Sequence, residues 1–330
     1  MPQPAVKPRL PLPVRVIEPL VLVQPGSWEG ALAAFLKDTK REGRSAQTLL
    51  SYDYFLGKSK RTTTFREDHG ITTPAEFTAT MFKAFDVELQ EIGLEPGSVS
   101  QYHRVIKRFL NWCSSEEGSD GQKTYAIDPG VARVKSPKLA QREPECFTDQ
   151  ELAVIRKTLA RRPRDLMLFD LMVATGLRIG EATRLTTDDY IETTTEPYLK
   201  VRQGKTNAAR RSVPMDTPLR KVSPRLVAYM KDRPAGSAIF LSERGVRLHG
   251  PRSPLTTAAA QTMFTQLTQD TGIHVHAHRC RHTFATAFLK AGGEPLMLMK
   301  LLGHTSPSMT MKYVHYQVED SLEAFRLRRD

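Results

Sequence analysis

A mainly helical chain with one small β-hairpin, folded as two domains, is the architecture this sequence predicts. Its 330 residues exceed what one compact core usually needs. Helix-period apolar spacing dominates on both sides of a central stretch where the period is lost. Strand-like alternation is confined to the neighbourhood of residues 199–215.

Residues 1–26 are rich in proline and carry several basic residues, so an extended arm is expected there. From Trp28 the helical period begins, with Trp28, Leu32, Phe35 and Leu36 on one face. Ser45 is a cap for a second helix carrying Leu49, Tyr52 and Leu56. A third runs through Phe77, Met81, Phe85 and Leu89 and ends near Gly93. A fourth is expected after Pro96-Gly97, capped by Ser98 and presenting Val99, Tyr102, Ile106, Phe109 and Leu110. These four helices predict a small helical domain over residues 27–115. Lys58, Lys60, Arg61, Arg104, Lys107 and Arg108 lie on its polar faces.

Residues 116–146 lose the period and read as a linker, turn-rich at Glu116–Gly121 and basic and extended at Val134–Lys138. Helices resume at Thr148-Asp149-Gln150-Glu151, which has the spacing of a capping box. A second domain over 147–330 follows. Its apolar helix through Leu166, Leu168, Leu171 and Met172 should break at Gly176. Arg178 then opens the next helix, beside backbone N–H groups that favour an anion, and Glu181 is placed to hold the guanidinium. Leu199 and Val201 alternate, Gly204–Asn207 turns, and Val213 and Met215 resume the alternation.

His278 and Arg281 project from one side of a further helix, which Phe284, Ala285, Phe288 and Leu289 carry into the core. Gly292-Gly293 ends it. Pro295 starts a short helix through Leu296, Leu298, Leu301 and Leu302, with Gly303 just past its end and His304 following. Ser306-Pro307 starts another helix, on which Met309, Tyr313 and Tyr316 share helical spacing. Leu322, Phe325 and Leu327 mark a last helix.

Composition narrows the function classes. Lys and Arg number 48 against 36 Asp and Glu, a formal net charge of +12 that favours a polyanionic partner. Three scattered cysteines, Cys113, Cys146 and Cys280, exclude a disulfide framework and a Cys-based zinc site and fit a reducing cytosol. No apolar run approaches the roughly 20 residues a bilayer requires. Prolines and Glu18 interrupt the short apolar patches that a signal peptide would need. A cytoplasmic protein is expected.

The segments Ala174-Thr175-Gly176-Leu177-Arg178-Ile179-Gly180-Glu181, His278-Arg279-Cys280-Arg281-His282, Leu301-Leu302-Gly303-His304 and Tyr313-Val314-His315 occur in that order. His304 lies 23 residues after Arg281 and nine before Tyr313. As an ordered set they resemble the tyrosine site-specific recombinases, the phage integrase and Xer-like family. Cys280 departs from the leucine usual there, but a buried cysteine is also small and apolar.

The resemblance implies a helical core-binding (SAM-like) domain followed by a catalytic domain, and a site built of Arg178, Lys205, His278, Arg281, His304 and Tyr313. Lys205 occupies the place of the family's catalytic lysine on a hairpin. The motif spacing selects Tyr313 over Tyr316 as the nucleophile. Arg210 and Arg211, with the basic residues of the helical domain, become candidate DNA contacts, and Glu181 takes a supporting role. Also implied are double-stranded DNA with specific sites, a homotetramer on two sites, a Holliday junction, accessory DNA-bending or directionality proteins, and a nucleoid-associated location. No cofactor or metal is implied, because the arginines and the lysine supply the charge.

The chemistry suits these residue types. Two arginines can bracket a phosphodiester's non-bridging oxygens with permanently charged forks. A tyrosine hydroxyl ordinarily titrates near pH 10, and nearby positive charge is expected to favour its phenolate, with His278 managing the proton. Three rivals remain at this stage. A type IB topoisomerase shares the chemistry, and a DNA-binding protein without catalysis shares the charge. A metal hydrolase would use His274, His276, His278 and His282.

Overall fold

In a computed structural model, residues 26–118, 121–137, 144–202, 210–216, 221–242 and 253–314 are described. The arm, Lys205, Tyr316 and the helix expected through Leu322 lie outside them. The chain divides into two compact units, Met1–Gln141 and Arg142–Asp330.

In the first unit, α1 (Trp28–Arg41) is capped by Ser27, whose side chain accepts from the Gly30 N–H at 3.1 Å. Ser45 caps α2 (Ala46–Asp53) as expected, and one π-helical turn, Tyr54–Lys58, follows directly. Next is α3 (Lys60–Asp68), a helix the apolar period did not reveal because it buries only Thr62 and Phe65. Among its described residues the unit therefore holds five α-helices rather than four, completed by α4 (Ala79–Glu91) and α5 (Pro96–Ser115). Ser98 is not the cap of α5: the helix starts at Pro96, with Glu95 at the N-cap position. Proline there loses no hydrogen bond, since the first-turn N–H groups have no helical partner.

The spaced aromatic residues form one core. Trp28 is fully buried, donates its indole N–H to the Leu56 carbonyl at 3.0 Å, and packs its ring 5.0 Å from Phe109 and 5.7 Å from Phe77. The stretch expected to be linker contributes to that core through buried Tyr125, Val131 and Val134. Asp128 fixes it further by accepting from the Ala79 N–H at 2.8 Å. Turn-rich sequence marked an irregular path here, not a free connector.

In the second unit, α6 (Asp149–Leu159) opens with the expected capping box: Glu151 N–H donates to Thr148 Oγ1 and Thr148 N–H to the Glu151 carboxylate. The core helix α7 (Pro163–Thr175) is buried nearly all round and ends at Gly176, whose φ of 63° is left-handed. The one-turn α8 (Ile179–Ala182) follows Arg178. Strands β1 (Tyr190–Ile191), β2 (Tyr198–Val201) and β3 (Arg211–Pro214) make an antiparallel sheet in that order. Leu199 faces Val213, and Val201 faces Arg211. The expected hairpin thus gains a third, short strand.

Helices α9 (Ser223–Met230), α10 (Thr257–Thr271), α11 (Ala277–Lys290) and α12 (Pro295–Leu302) follow, and residues 308–314 are helical (α13). The main core joins α6, α7, the sheet and α10, and includes fully buried Cys280. A smaller cluster of Phe284, Ala285, Leu289, Leu298, Leu301 and Leu302 encloses Tyr313.

Gly176 is where backbone and packing demands coincide. A Cβ there would lie 2.5 Å from Phe284 Cδ1 and 2.9 Å from Leu302 Cδ2, on a backbone that L-residues rarely adopt. Gly176→Ala should therefore destabilise the second unit by about 2–4 kcal/mol, combining overpacking with left-handed strain. Chemical denaturation of the full chain would measure this, and a loss below about 0.5 kcal/mol would contradict it.

Candidate active site

The site is assembled where α7, α8, α11 and α12 end or begin. Arg281, on the second turn of α11, is buried at 4% exposure, yet its guanidinium is held by two helix C-termini. Its Nη1 donates to the Gly176 carbonyl at 2.8 Å, and its Nη2 to the Leu302 carbonyl at 2.6 Å. Both acceptors belong to helix ends whose last carbonyls lack helical partners and carry partial negative charge. Arg178 reaches the same place from the other side, with Nη2 directed at the Gly303 carbonyl at 3.4 Å. The glycine-ended helices α7 and α12 thus present carbonyls to both arginines.

Glu181 is the buried counter-charge. It accepts from Arg178 Nη1 at 3.0 Å and from the Arg178 backbone N–H at 2.9 Å. Arg211 Nη1 and Nη2 approach its two oxygens at 3.1 and 2.9 Å. Burial pushes the Glu181 carboxyl upward, but the Arg211 fork and then Arg178 outweigh it and leave its pKa below the ordinary glutamate value. The supporting place expected for Glu181 beside Arg178 is the one it occupies.

Arg211 requires a correction. It was expected to face DNA, but its side chain is only 7% exposed and is paired with Glu181. Its Nε also donates to the Leu301 carbonyl. The signal was available: Arg211 and Val213 are two apart on β3, hence on one face of the sheet, and Val213 is fully buried. Arg210, by contrast, is exposed.

His304 follows Gly303 and is buried, with Nδ1 2.7 Å from Thr310 Oγ1. Burial, then Arg281, Arg178, Lys312 and Arg211, push its pKa down to about 3, so its ring is neutral. His278 is exposed. Partial desolvation of its ring, then Arg281, Lys312 and Arg178, lower its pKa. Arg281 itself is drawn down to about 10 by burial and by Arg178, and remains charged at neutral pH.

Tyr313 is buried at 3% exposure, and its hydroxyl lies 2.7 Å from His282 Nδ1. Nearby positive charge acts on this hydroxyl in the expected direction, against a stronger opposing effect. Arg281 does lower the hydroxyl's pKa, but burial is the larger effect and raises it to about 12. His282 was read only as a helix-motif residue and a possible metal ligand. It lies four residues after His278 on α11, hence on the same helix face, which was the available signal.

The histidine cluster also divides. His276 caps α11 by accepting from the Arg279 N–H, and among the described residues it groups with His274 and Glu145 within 4.8 Å, while His282 turns to Tyr313. The four histidines proposed as a metal set therefore do not converge on one point.

The basic residues of the first unit are described by themselves. Lys60, Arg61 and Arg104 are exposed, and Lys58 is exposed beside Asp53. Arg108 pairs with Glu42 at 2.9 Å, and Lys107 donates to the Val134 carbonyl, so both carry structural contacts. Lys205 falls outside the described residues. No helix among the described residues is long and apolar enough to cross a membrane.

The sequence pattern of the phage integrase family matches residues 146–320. The chain belongs to the phage integrase family. It is similar to the tyrosine recombinase XerC of Pelotomaculum thermopropionicum, with 27% identity over 83% of this chain and 86% of the relative. It is similar in fold to a lambda integrase tetramer bound to a Holliday junction, with a TM-score of 0.65 and 18% identity over 85% of this chain and 78% of that one. The XerH recombinase bound to a palindromic difH substrate, a post-cleavage complex, gives 0.66 and 18% over 91% and 84%. Family membership makes the chain a site-specific tyrosine recombinase, and nothing in these likenesses favours a topoisomerase, a hydrolase or a protein without catalysis.

Two outcomes follow from this geometry. Glu181→Ala removes the buried carboxylate shared by buried Arg211 and half-exposed Arg178 and should cost about 3–5 kcal/mol, measured by urea denaturation. The depressed histidines set a pH response. The unfolded chain takes up protons on His304 and His282 near pH 6.5, whereas the folded chain resists until about pH 3 and about pH 4. Stability is therefore complete above pH 6.5 and falls as the pH drops through that window. The melting temperature should decline between pH 7 and pH 5, and His304→Asn should flatten the decline. An equal slope in both proteins would contradict the assignment.

Proposed function

We propose that this recombinase breaks and rejoins DNA strands with Tyr313 as nucleophile and Arg178, Lys205, His278, Arg281 and His304 as the groups that act on the scissile phosphate. The observation that carries the reading is the anchoring of Arg178 and Arg281 to the carbonyls of Gly303, Gly176 and Leu302. It aims two guanidinium groups at one place before any substrate arrives, and His304 stands beside them.

Preorganised cations cost no rearrangement when charge develops on the non-bridging oxygens. In the tautomer where Nδ1 accepts from the Thr310 hydroxyl 2.7 Å away, His304 carries its proton on Nε2 and can donate it to one of those oxygens. Its low pKa suits a neutral hydrogen-bond donor rather than a second cation. The P–O5′ bond breaks as the tyrosine oxygen bonds to phosphorus, and Lys205 protonates the departing 5′ oxygen. The resulting 3′-phosphotyrosyl bond keeps the energy of the original linkage, so a second 5′ hydroxyl can reseal the strand without ATP.

The working partner is double-stranded DNA carrying a defined site, contacted by Arg210 and by Lys58, Lys60, Arg61 and Arg104 of the helical domain, with Lys107 and Arg108 at the edge of that surface. The assembly is a homotetramer on two sites that passes through a Holliday junction, with accessory DNA-bending or directionality proteins as further partners. The likeness to the lambda integrase tetramer supports it. The protein acts in the cytoplasm, on the nucleoid.

The test is covalent trapping on nicked duplexes from DNA flanking the gene, resolved on a denaturing gel. The wild-type chain should give a shifted band and Tyr313→Phe none. Arg178→Ala should bind the same duplex but cleave it about 10²–10³-fold more slowly. A band that survives Tyr313→Phe would move the nucleophile to another residue, Tyr316 first.

A further inference from the structure

We propose that His282 is a further catalytic residue, the group that holds the Tyr313 hydroxyl and accepts its proton as the tyrosine attacks. The proposal rests on Tyr313 being the nucleophile. The two side chains meet 2.7 Å apart, Nδ1 to hydroxyl oxygen, with ring centroids 5.5 Å apart. The contact spans 31 residues of sequence and joins α11 to α13.

His282 lies one residue past Arg281, so a single helical turn carries both the guanidinium that serves the phosphate and the imidazole that serves the nucleophile. His278, the other histidine on that turn, is 6.3 Å from His282 ring to ring and is exposed. The hydroxyl's contact is thus with His282. Burial of the ring, and after it the nearby Lys312 on α13, His278, His276 and Arg281, push the His282 pKa down to about 4, which keeps the imidazole neutral and able to accept.

The step balances as follows. In the resting site Nε2 carries the ring proton and Nδ1 accepts from the tyrosine. As the tyrosine oxygen bonds to phosphorus, its proton passes to Nδ1 and makes an imidazolium. The P–O5′ electron pair leaves with the 5′ oxygen, which takes a proton from Lys205. In resealing, the 5′ hydroxyl attacks phosphorus, and the departing phenolate recovers its proton from His282.

Two measurements test it on the full-length chain. The first is single-turnover trapping on the nicked duplexes used for Tyr313→Phe, with a gel shift on the same DNA to establish binding. His282→Asn keeps a hydrogen-bonding atom near the Nδ1 position without accepting a proton, and His282→Ala removes both. Both variants should bind, and both should form the covalent complex about a hundredfold or more slowly than wild type. If His282→Asn retains wild-type cleavage while His282→Ala loses it, the residue only orients the tyrosine and proton acceptance is wrong. If both cleave normally, the proposal fails entirely.

The second measurement needs no DNA. Nitrogen-15 NMR of the histidine rings should show His282 as the Nε2–H tautomer, with an Nδ1 resonance that shifts in Tyr313→Phe. An Nδ1–H tautomer would overturn the proposal. If the wild-type chain trapped no DNA, the nucleophile assignment would be at fault, and the tautomer would still decide whether His282 accepts from Tyr313.

Discussion

The grip of two helix C-termini on Arg281 is the constraint from which the rest of this site follows. A guanidinium at 4% exposure is tolerable only where acceptors replace its water, and the Gly176 and Leu302 carbonyls do so. Those carbonyls are available because α7 and α12 each stop in a left-handed glycine, at φ 63° and 64°. Close packing of Phe284 and Leu302 around Gly176 fixes the two ends together. Sequence, backbone and electrostatics therefore agree: glycine ends the helices, the ended helices hold the arginine, and the arginine ties α11 to both.

The same arrangement explains the charge state of its surroundings. Arg178, Arg211, Arg281 and Lys312 all act on this small volume, while Glu181 is the buried carboxylate that answers them. Burial first, and these cations second, lower the pKa values of His278 and His304, and burial with Arg281 lowers that of Lys312. Such an excess of positive charge is a cost to the folded chain, and an anion would relieve it. A DNA phosphate is an anion of the right kind, so affinity for the scissile group and tension in the free site have one source.

How far this was legible in the sequence depended on what the pattern encodes. Glycine ends, the Thr148 capping box and the motif positions of Arg178, Arg281, His304 and Tyr313 are local or spaced signals, and they placed these residues where the structure has them. Helix α3 stayed hidden because a helix that buries only Thr62 and Phe65 has little apolar period to detect. The packing of Tyr125, Val131 and Val134 was equally invisible, since isolated apolar residues in a turn-rich segment do not say what they rest on. Arg211 was assigned by its charge when its strand register should have ruled. Charge says what a residue can bind, and only the register says which way it faces.

The tyrosine marks the deepest gap between pattern and physics. Nearby cations alone suggest an ionised nucleophile, yet burial prevails and the hydroxyl titrates at about 12, while its partner His282 titrates at about 4. With values so far apart, the proton stays on oxygen in the free protein and a standing phenolate is negligible at neutral pH. In the proposed nucleophilic role of Tyr313, ionisation is concerted with bond formation: as phosphorus takes electron density from the tyrosine oxygen, that oxygen becomes acidic, and the neutral imidazole in contact takes its proton. A nucleophile kept protonated until the substrate phosphate is seated remains inert in its absence, and restraint of that kind suits an enzyme whose reaction breaks DNA.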